Sequence, residues 1–125
     1  MRILISLVHD ARWQPAWRGV LLLMCAAAWF AFIPATPTAQ PSGLDKIEHL
    51  LAFAALGLAA SFTASPGLRR TAQAAAGLLL YGGFIELVQT QLPTRTADWA
   101  DIAADGLGVA AGLALAALMR TAVRR

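Results

Sequence analysis

The sequence predicts an all-α, polytopic membrane protein with four transmembrane helices and both termini in the cytoplasm. Three observations carry that prediction. The first is composition: 58% of the 125 residues are apolar and 14% are charged, with a mean hydropathy of +0.61. Soluble domains carry about 25% charged residues, and a water-soluble globule of this length has too little polar surface to cover so much apolar material. The second is a set of four apolar stretches, each close to the roughly 20 residues that cross about 30 Å of hydrocarbon. The third is a lopsided distribution of basic residues. The same composition excludes intrinsic disorder, and a single cysteine, Cys25, excludes a disulfide scaffold.

The elements follow in chain order. Residues 1–16 read as a cytoplasmic N-terminal segment, 17–119 as the four-helix membrane domain and 120–125 as a basic cytoplasmic tail. The first span runs from about Trp17 to Pro34 and holds no charge after Arg18. The second runs from about Ile47 to Ala64, the third from about Ala72 to Leu92, and the fourth from about Trp99 to Met119. Pro37, Pro41 and Gly43, then Pro66-Gly67, then Pro93 punctuate the connectors. Stretches of this length without period-2 alternation are helices rather than barrel strands, because a helix satisfies its backbone groups locally in lipid.

Basic residues orient the spans. Arg2, Arg12, Arg18, Arg69, Arg70, Arg120, Arg124 and Arg125, eight of the ten, fall on the side that holds both termini, and Lys46 and Arg95 fall on the other. That places the termini inside and accounts for the sequence pI of about 10.0 without nucleic acid, for which no folded soluble surface remains. Arg12, Arg18, the first apolar run and Pro37-Thr38-Ala39 also have the outline of a signal peptide. Proline three residues before the cut fits poorly, so the first span is expected to stay.

Six of the seven acidic residues gather at the outer end of the bundle. Asp45, Glu48 and His49 open the second helix at i, i+3, i+4, which puts them on one face. Glu86 and Gln89 lie near the outer end of the third. Asp98, Asp101 and Asp105 open the fourth at i, i+3, i+7. Asp105 is about two turns, roughly 10 Å, inside, where an ionisable group is costly unless it is paired or faces water. These faces are therefore expected to line an acidic, outward-facing polar cavity, with Lys46 and Arg95 as its cations. A structural role competes with this reading. Asp45 and Asp98 stand where a carboxylate caps a helix, and Glu86, Asp101 and Asp105 suit an interhelical network with Arg95 or His49.

Other features have plainer readings. Gly106, Gly108 and Gly112 with Ala104 and Ala111 form a small-residue face for helix packing. Gly82-Gly83 packs a helix closely or opens space for a ligand. Trp13, Trp17 and Trp99 suit interfacial anchors, and Cys25 is a small apolar filler. The aspartates of the fourth helix lack the alternate-position spacing of a calcium loop. No CxxC, HExxH or GxSxG occurs, so no metal or cofactor is expected.

With these residues in view, the chain resembles the VanZ-like family of small bacterial membrane proteins. The resemblance rests on Asp45-Lys46-Ile47-Glu48-His49-Leu50-Leu51-Ala52-Phe53, Glu86-x-x-Gln89, Arg95-Thr96-Ala97-Asp98-Trp99-x-Asp101 and Asp105-Gly106-x-Gly108-x-x-x-Gly112, in that order, and covers roughly Pro34 to Met119. The family usually has asparagine at the position of Asp105, so this chain carries an extra carboxylate. The family name implies an envelope protein of the bacterial inner membrane, associated in its eponym with resistance to the glycopeptide teicoplanin.

The expected function is binding or modulating a lipid-linked wall intermediate or a lipophilic glycopeptide through Asp45, Lys46, Glu48, His49, Glu86, Gln89, Arg95, Asp98, Asp101 and Asp105. Two other classes stay open. One is an intramembrane enzyme whose carboxylates and histidine hold a divalent metal, against which stands the shortage of basic residues for a phosphate. The other is a small transporter, against which stands the absence of an acidic residue from the first span. Membrane lipids are expected partners. Four short helices barely enclose a cavity, which leaves room for a homo-oligomer.

Overall fold

The computed structural model describes residues 2–33, 43–92 and 98–123. Among them are α1 (Arg2–His9), a single 3-10 turn (Ala11–Trp13), α2 (Gln14–Phe32), α3 (Leu44–Ser61), α4 (Leu68–Gln89) and α5 (Trp99–Val123), with no strand. Among the described residues, three segments and not four are long and apolar enough to cross a membrane: Ala11–Phe32, Leu68–Gln89 and Trp99–Ala122. The 18-residue α3 carries Asp45, Lys46 and Glu48 in its first turns and is not among them.

The bundle is apolar outside as well as inside. Leu22, Leu23, Phe30, Leu80, Leu107 and Leu118 are each at least 65% exposed, while Phe53, Leu56 and Ile85 are fully buried. Apolar surface on this scale is foreign to a soluble monomer and ordinary for helices facing lipid. The chain is a membrane protein.

The helices alternate in direction. Near the start of α2, Arg18 Nε donates to Thr63 O just beyond α3, at 3.1 Å. Near the end of α5, Arg120 donates to Ser61 O and stacks over Phe62. These contacts gather arginines at one end of the bundle. At the other end, Gln89 Nε2 of α4 donates to Phe32 O of α2 at 2.8 Å, and His49 of α3 meets Asp105 of α5. So α2 and α4 run towards the acidic end, and α3 and α5 run away from it.

The most intimate packing is between the parallel pair α3 and α5. Ala104, Gly108, Gly112 and Ala116 repeat every four residues and are buried along α5. A Cβ on Gly108 would run into Leu50 O, and one on Gly112 into Ala54 O. From the other side, a Cβ on Gly57 would stand 2.8 Å from Val109 O. This is the close backbone approach that small residues permit between membrane helices. Gly106 and Ala111 do not share that face. At 100° per residue Gly106 lies about 200° from Gly108, with Leu79 of α4 as its neighbour, and Ala111 is exposed.

Several boundaries shift from those read in the sequence. α2 starts at Gln14, with Pro15 in its first turn, where a missing N–H costs nothing. α3 starts at Leu44, three residues early, after Gly43 turns the chain with φ +102. α4 starts at Leu68, directly after Pro66-Gly67. α5 runs on through Arg120 to Val123, so Arg120 belongs to the helix, where it reaches a terminal carbonyl of α3. The N-terminal segment contains α1, a helix that the sequence reading did not place. Eight residues rarely hold a helix alone. Here Val8 packs with Phe62 and Ala116, while Trp17 Nε1 donates to Leu7 O at 3.0 Å. Ser6 Oγ accepts from Arg12 Nη2 and Trp13 Nε1. Trp17 thereby serves packing, lying 4.9 Å from Phe62, whereas Trp99 stands exposed at the entry to α5.

Candidate functional site

The acidic end is assembled from four helices. α3 brings Asp45, Lys46 and His49, and α4 brings Glu86 and Gln89. α5 brings Asp101 and Asp105, with Asp98 immediately before it. α2 contributes no charge there but ends beneath the cluster with Phe32.

At its centre, His49 Nδ1 lies 2.8 Å from Asp105 Oδ1, and both side chains are buried. The imidazole is stacked on Phe32 with ring centres 4.1 Å apart and lies parallel to Phe53 at 6.4 Å. The ring is therefore fixed by two aromatics and one carboxylate. The other oxygen of Asp105 occupies space against α4 that a Cβ on Gly82 would fill. Of the two roles open to Gly82-Gly83, Gly82 thus opens space, here for a carboxylate, while Gly83 has no neighbour where its Cβ would stand.

Around this pair, Glu86 Oε2 accepts the backbone N–H of Asp98 at 3.3 Å. Lys46 Nζ lies 2.8 Å from Asp98 Oδ2, 3.6 Å from Asp101 Oδ1 and 3.7 Å from Asp45 Oδ2. Asp98 Oδ1 accepts from Ala100 N at 2.9 Å, so Asp98 caps α5 as well as pairing. The Lys46 hydrogen bond, with that amide, holds the Asp98 carboxyl below the usual carboxylate range. Asp45 does not cap. Gly43 occupies the cap position, and Asp45 sits in the first turn, where its charge suits the helix dipole.

Glu48 is exposed, apart from the cluster. Asp45 and His49 are about 40° apart around α3 and Glu48 is about 100° from His49, so the i, i+3, i+4 spacing spans a wider arc than the buried face. Arg95 lies outside the described residues. The sequence reading gave no role to Phe32 or Phe53 and left Gly82 between close packing and opening space. Gly82 carries a signal in its spacing, since it shares a face of α4 with Glu86 and Gln89 at i, i+4, i+7.

Five buried polar atoms in this cluster have no hydrogen-bond partner among the described residues: Asp45 Oδ1, His49 Nε2, Glu86 Oε1, Asp101 Oδ1 and Asp105 Oδ2. Ligating atoms of His49, Glu86 and Asp101 lie within 4.8 Å of one another. Two cavities are described and neither is lined by this cluster. The larger, about 310 Å³, is at the arginine end beside Ser61, Arg70 and Arg120.

The family model described as VanZ/LLP1 matches residues 7–120. The chain belongs to the VanZ/LLP1 family. No curated protein and no solved structure matches it. The VanZ/LLP1 match spans α2 to α5 almost completely, so the buried layer of His49, Glu86, Asp101 and Asp105 lies within the family domain.

Proposed function

We propose that this VanZ-family protein spans the bacterial inner membrane four times, with both termini inside. In this reading it binds the polar head of a lipid-linked wall intermediate, or of a lipophilic glycopeptide, at its acidic outer end. One observation carries the reading: three helices deliver His49, Glu86, Asp101 and Asp105 to a single buried layer in which each side chain keeps a polar atom without a hydrogen-bond partner. Asp101 Oδ1 has Lys46 Nζ at 3.6 Å, but packing alone gives no reason to bury His49 Nε2, Glu86 Oε1 and Asp105 Oδ2, since an unpaired polar group in an apolar interior costs about 1–3 kcal/mol. A ligand that completes them offsets that cost.

Two further points support the arrangement in the membrane. At 1.5 Å per residue, the 18-residue α3 is about 27 Å long, and its residues Phe53, Leu56, Ala59 and Ala60 are buried among the other helices. The arginines at the opposite end match the cytoplasmic side.

The test sets cells expressing wild type against cells expressing His49→Ala, Glu86→Ala or Asp101→Ala, with membrane levels matched. Glycopeptide susceptibility and the pool of lipid-linked wall precursors are read in each strain. Wild type is expected to shift at least one read-out and the three variants neither, while exposed Glu48→Ala behaves as wild type. Equal behaviour of all strains overturns the reading.

A further inference from the structure

We propose that His49, Glu86 and Asp101 are the protein ligands of a single divalent metal ion, with Asp105 as the carboxylate that orients the histidine. The proposal uses the polar layer described above but not the identity of the lipid or drug it serves.

Two observations converge. First, His49 is fully buried and its two nitrogens differ: Nδ1 is held by Asp105, and Nε2 has no hydrogen-bond partner among the described residues. A histidine whose one nitrogen is fixed by a carboxylate while the other is left free is the arrangement that presents imidazole to a metal. Second, Glu86 Oε1 and Asp101 Oδ1 are buried and likewise lack hydrogen-bond partners, with Lys46 Nζ standing 3.6 Å from Asp101 Oδ1, and ligating atoms of the three residues lie within 4.8 Å of one another. Ligands about 2.0–2.2 Å from a common ion stand at most about 4.4 Å apart, so a slight closure of the side chains completes the shell.

The donor set selects the ion. Two carboxylates and one imidazole suit Zn²⁺ or Mn²⁺ better than Mg²⁺ or Ca²⁺, which take oxygen ligands. Three protein ligands leave a coordination position open, which an anionic headgroup oxygen can take.

The experiment is metal binding by the full chain, purified in detergent, stripped with chelator and titrated with Zn²⁺ and separately with Mn²⁺. About one equivalent is expected to bind to wild type and to Glu48→Gln. His49→Ala, Glu86→Gln and Asp101→Asn are expected to lose stoichiometric binding. Asp105→Asn is expected to keep it at about 10- to 100-fold weaker affinity. Titration with Co²⁺ gives a second readout: visible absorption bands from imidazole and carboxylate ligation in wild type, absent in His49→Ala. Folding of each variant is checked by monodispersity and helical circular dichroism. The proposal is overturned if stripped wild type takes up no Zn²⁺ or Mn²⁺, or if folded His49→Ala and Glu86→Gln bind as wild type does. Neither outcome depends on an envelope phenotype, so failure here is separable from failure of the proposed function.

Discussion

His49 of α3 and Asp105 of α5 meet at 2.8 Å with no exposed surface to speak of on either side chain. The contact lies about 9 Å along α5 from Trp99, six residues at 1.5 Å each. It fixes the register of two parallel helices at the point where the acidic layer begins. Below it, Gly108 and Gly112 allow the backbones together, and above it Lys46 bridges Asp98 and Asp101.

That pair predicts a coupling energy. His49→Ala and Asp105→Ala are each expected to destabilise the bundle, and the double variant to lose less than the sum of the two. The shortfall is expected to be about 1–2 kcal/mol, near the upper range for interhelical hydrogen bonds in membranes. Reversible unfolding in mixed micelles measures it. Strict additivity would show that the two side chains do not interact in the membrane.

The α3–α5 contact makes a prediction about glycines. Gly108→Ala and Gly112→Ala would place a methyl group against the Leu50 and Ala54 carbonyls, which are backbone and cannot swing aside. Each is expected to cost about 1–3 kcal/mol. Gly106→Ala meets nothing nearer than Leu79 Cδ2 at 3.7 Å. It is expected to be neutral or to stabilise α5, as alanine favours a helix over glycine by up to about 1 kcal/mol. The same unfolding assay ranks the three.

Three of the four expected spans, and the gathering of acidic residues at one end, were legible in the sequence because they rest on length, composition and periodicity. The groups Glu86/Gln89 and Asp98/Asp101/Asp105 lie on faces that turn inward. What was not legible depends on which helices become neighbours. Glu48 shares a broad arc with His49, and only the position of α5 shows that the buried part stops short of it. Phe32 stacks on His49 from a helix end with no polar residue to draw attention to it. α1 is held by tertiary contacts to Phe62 and Ala116 that its own eight residues do not encode.

The proposed orientation predicts reporter behaviour. Alkaline phosphatase fused after Arg125 is expected to be inactive, and green fluorescent protein fused there to fluoresce. Phosphatase placed between α2 and α3, or between α4 and α5, is expected to be active. In that orientation the end at which Arg18 and Arg120 donate to carbonyls is the cytoplasmic one. An active phosphatase at the C-terminus would reverse the bundle and turn the acidic layer towards the cytoplasm.

The Gly82-Gly83 pair offers the sharpest separation of site from scaffold. The two glycines are adjacent on α4 and meet different surroundings. A Cβ on Gly82 would collide with Asp105 Oδ2 and stand 3.1 Å from Phe53 Cζ, whereas one on Gly83 meets nothing within 4 Å. Alanine raises helix propensity equally at both positions, so that contribution cancels in the comparison. Gly82→Ala must displace the Asp105 carboxylate, and with it the hydrogen bond that holds His49 Nδ1. It is therefore expected to lose the envelope phenotype and to weaken metal binding at least as much as Asp105→Asn. Gly83→Ala is expected to keep both at wild-type levels. Membrane abundance, the strain comparison and metal titration check the pair together. Equal activity of the two variants would show that the position of the Asp105 carboxylate does not matter to what the acidic layer does.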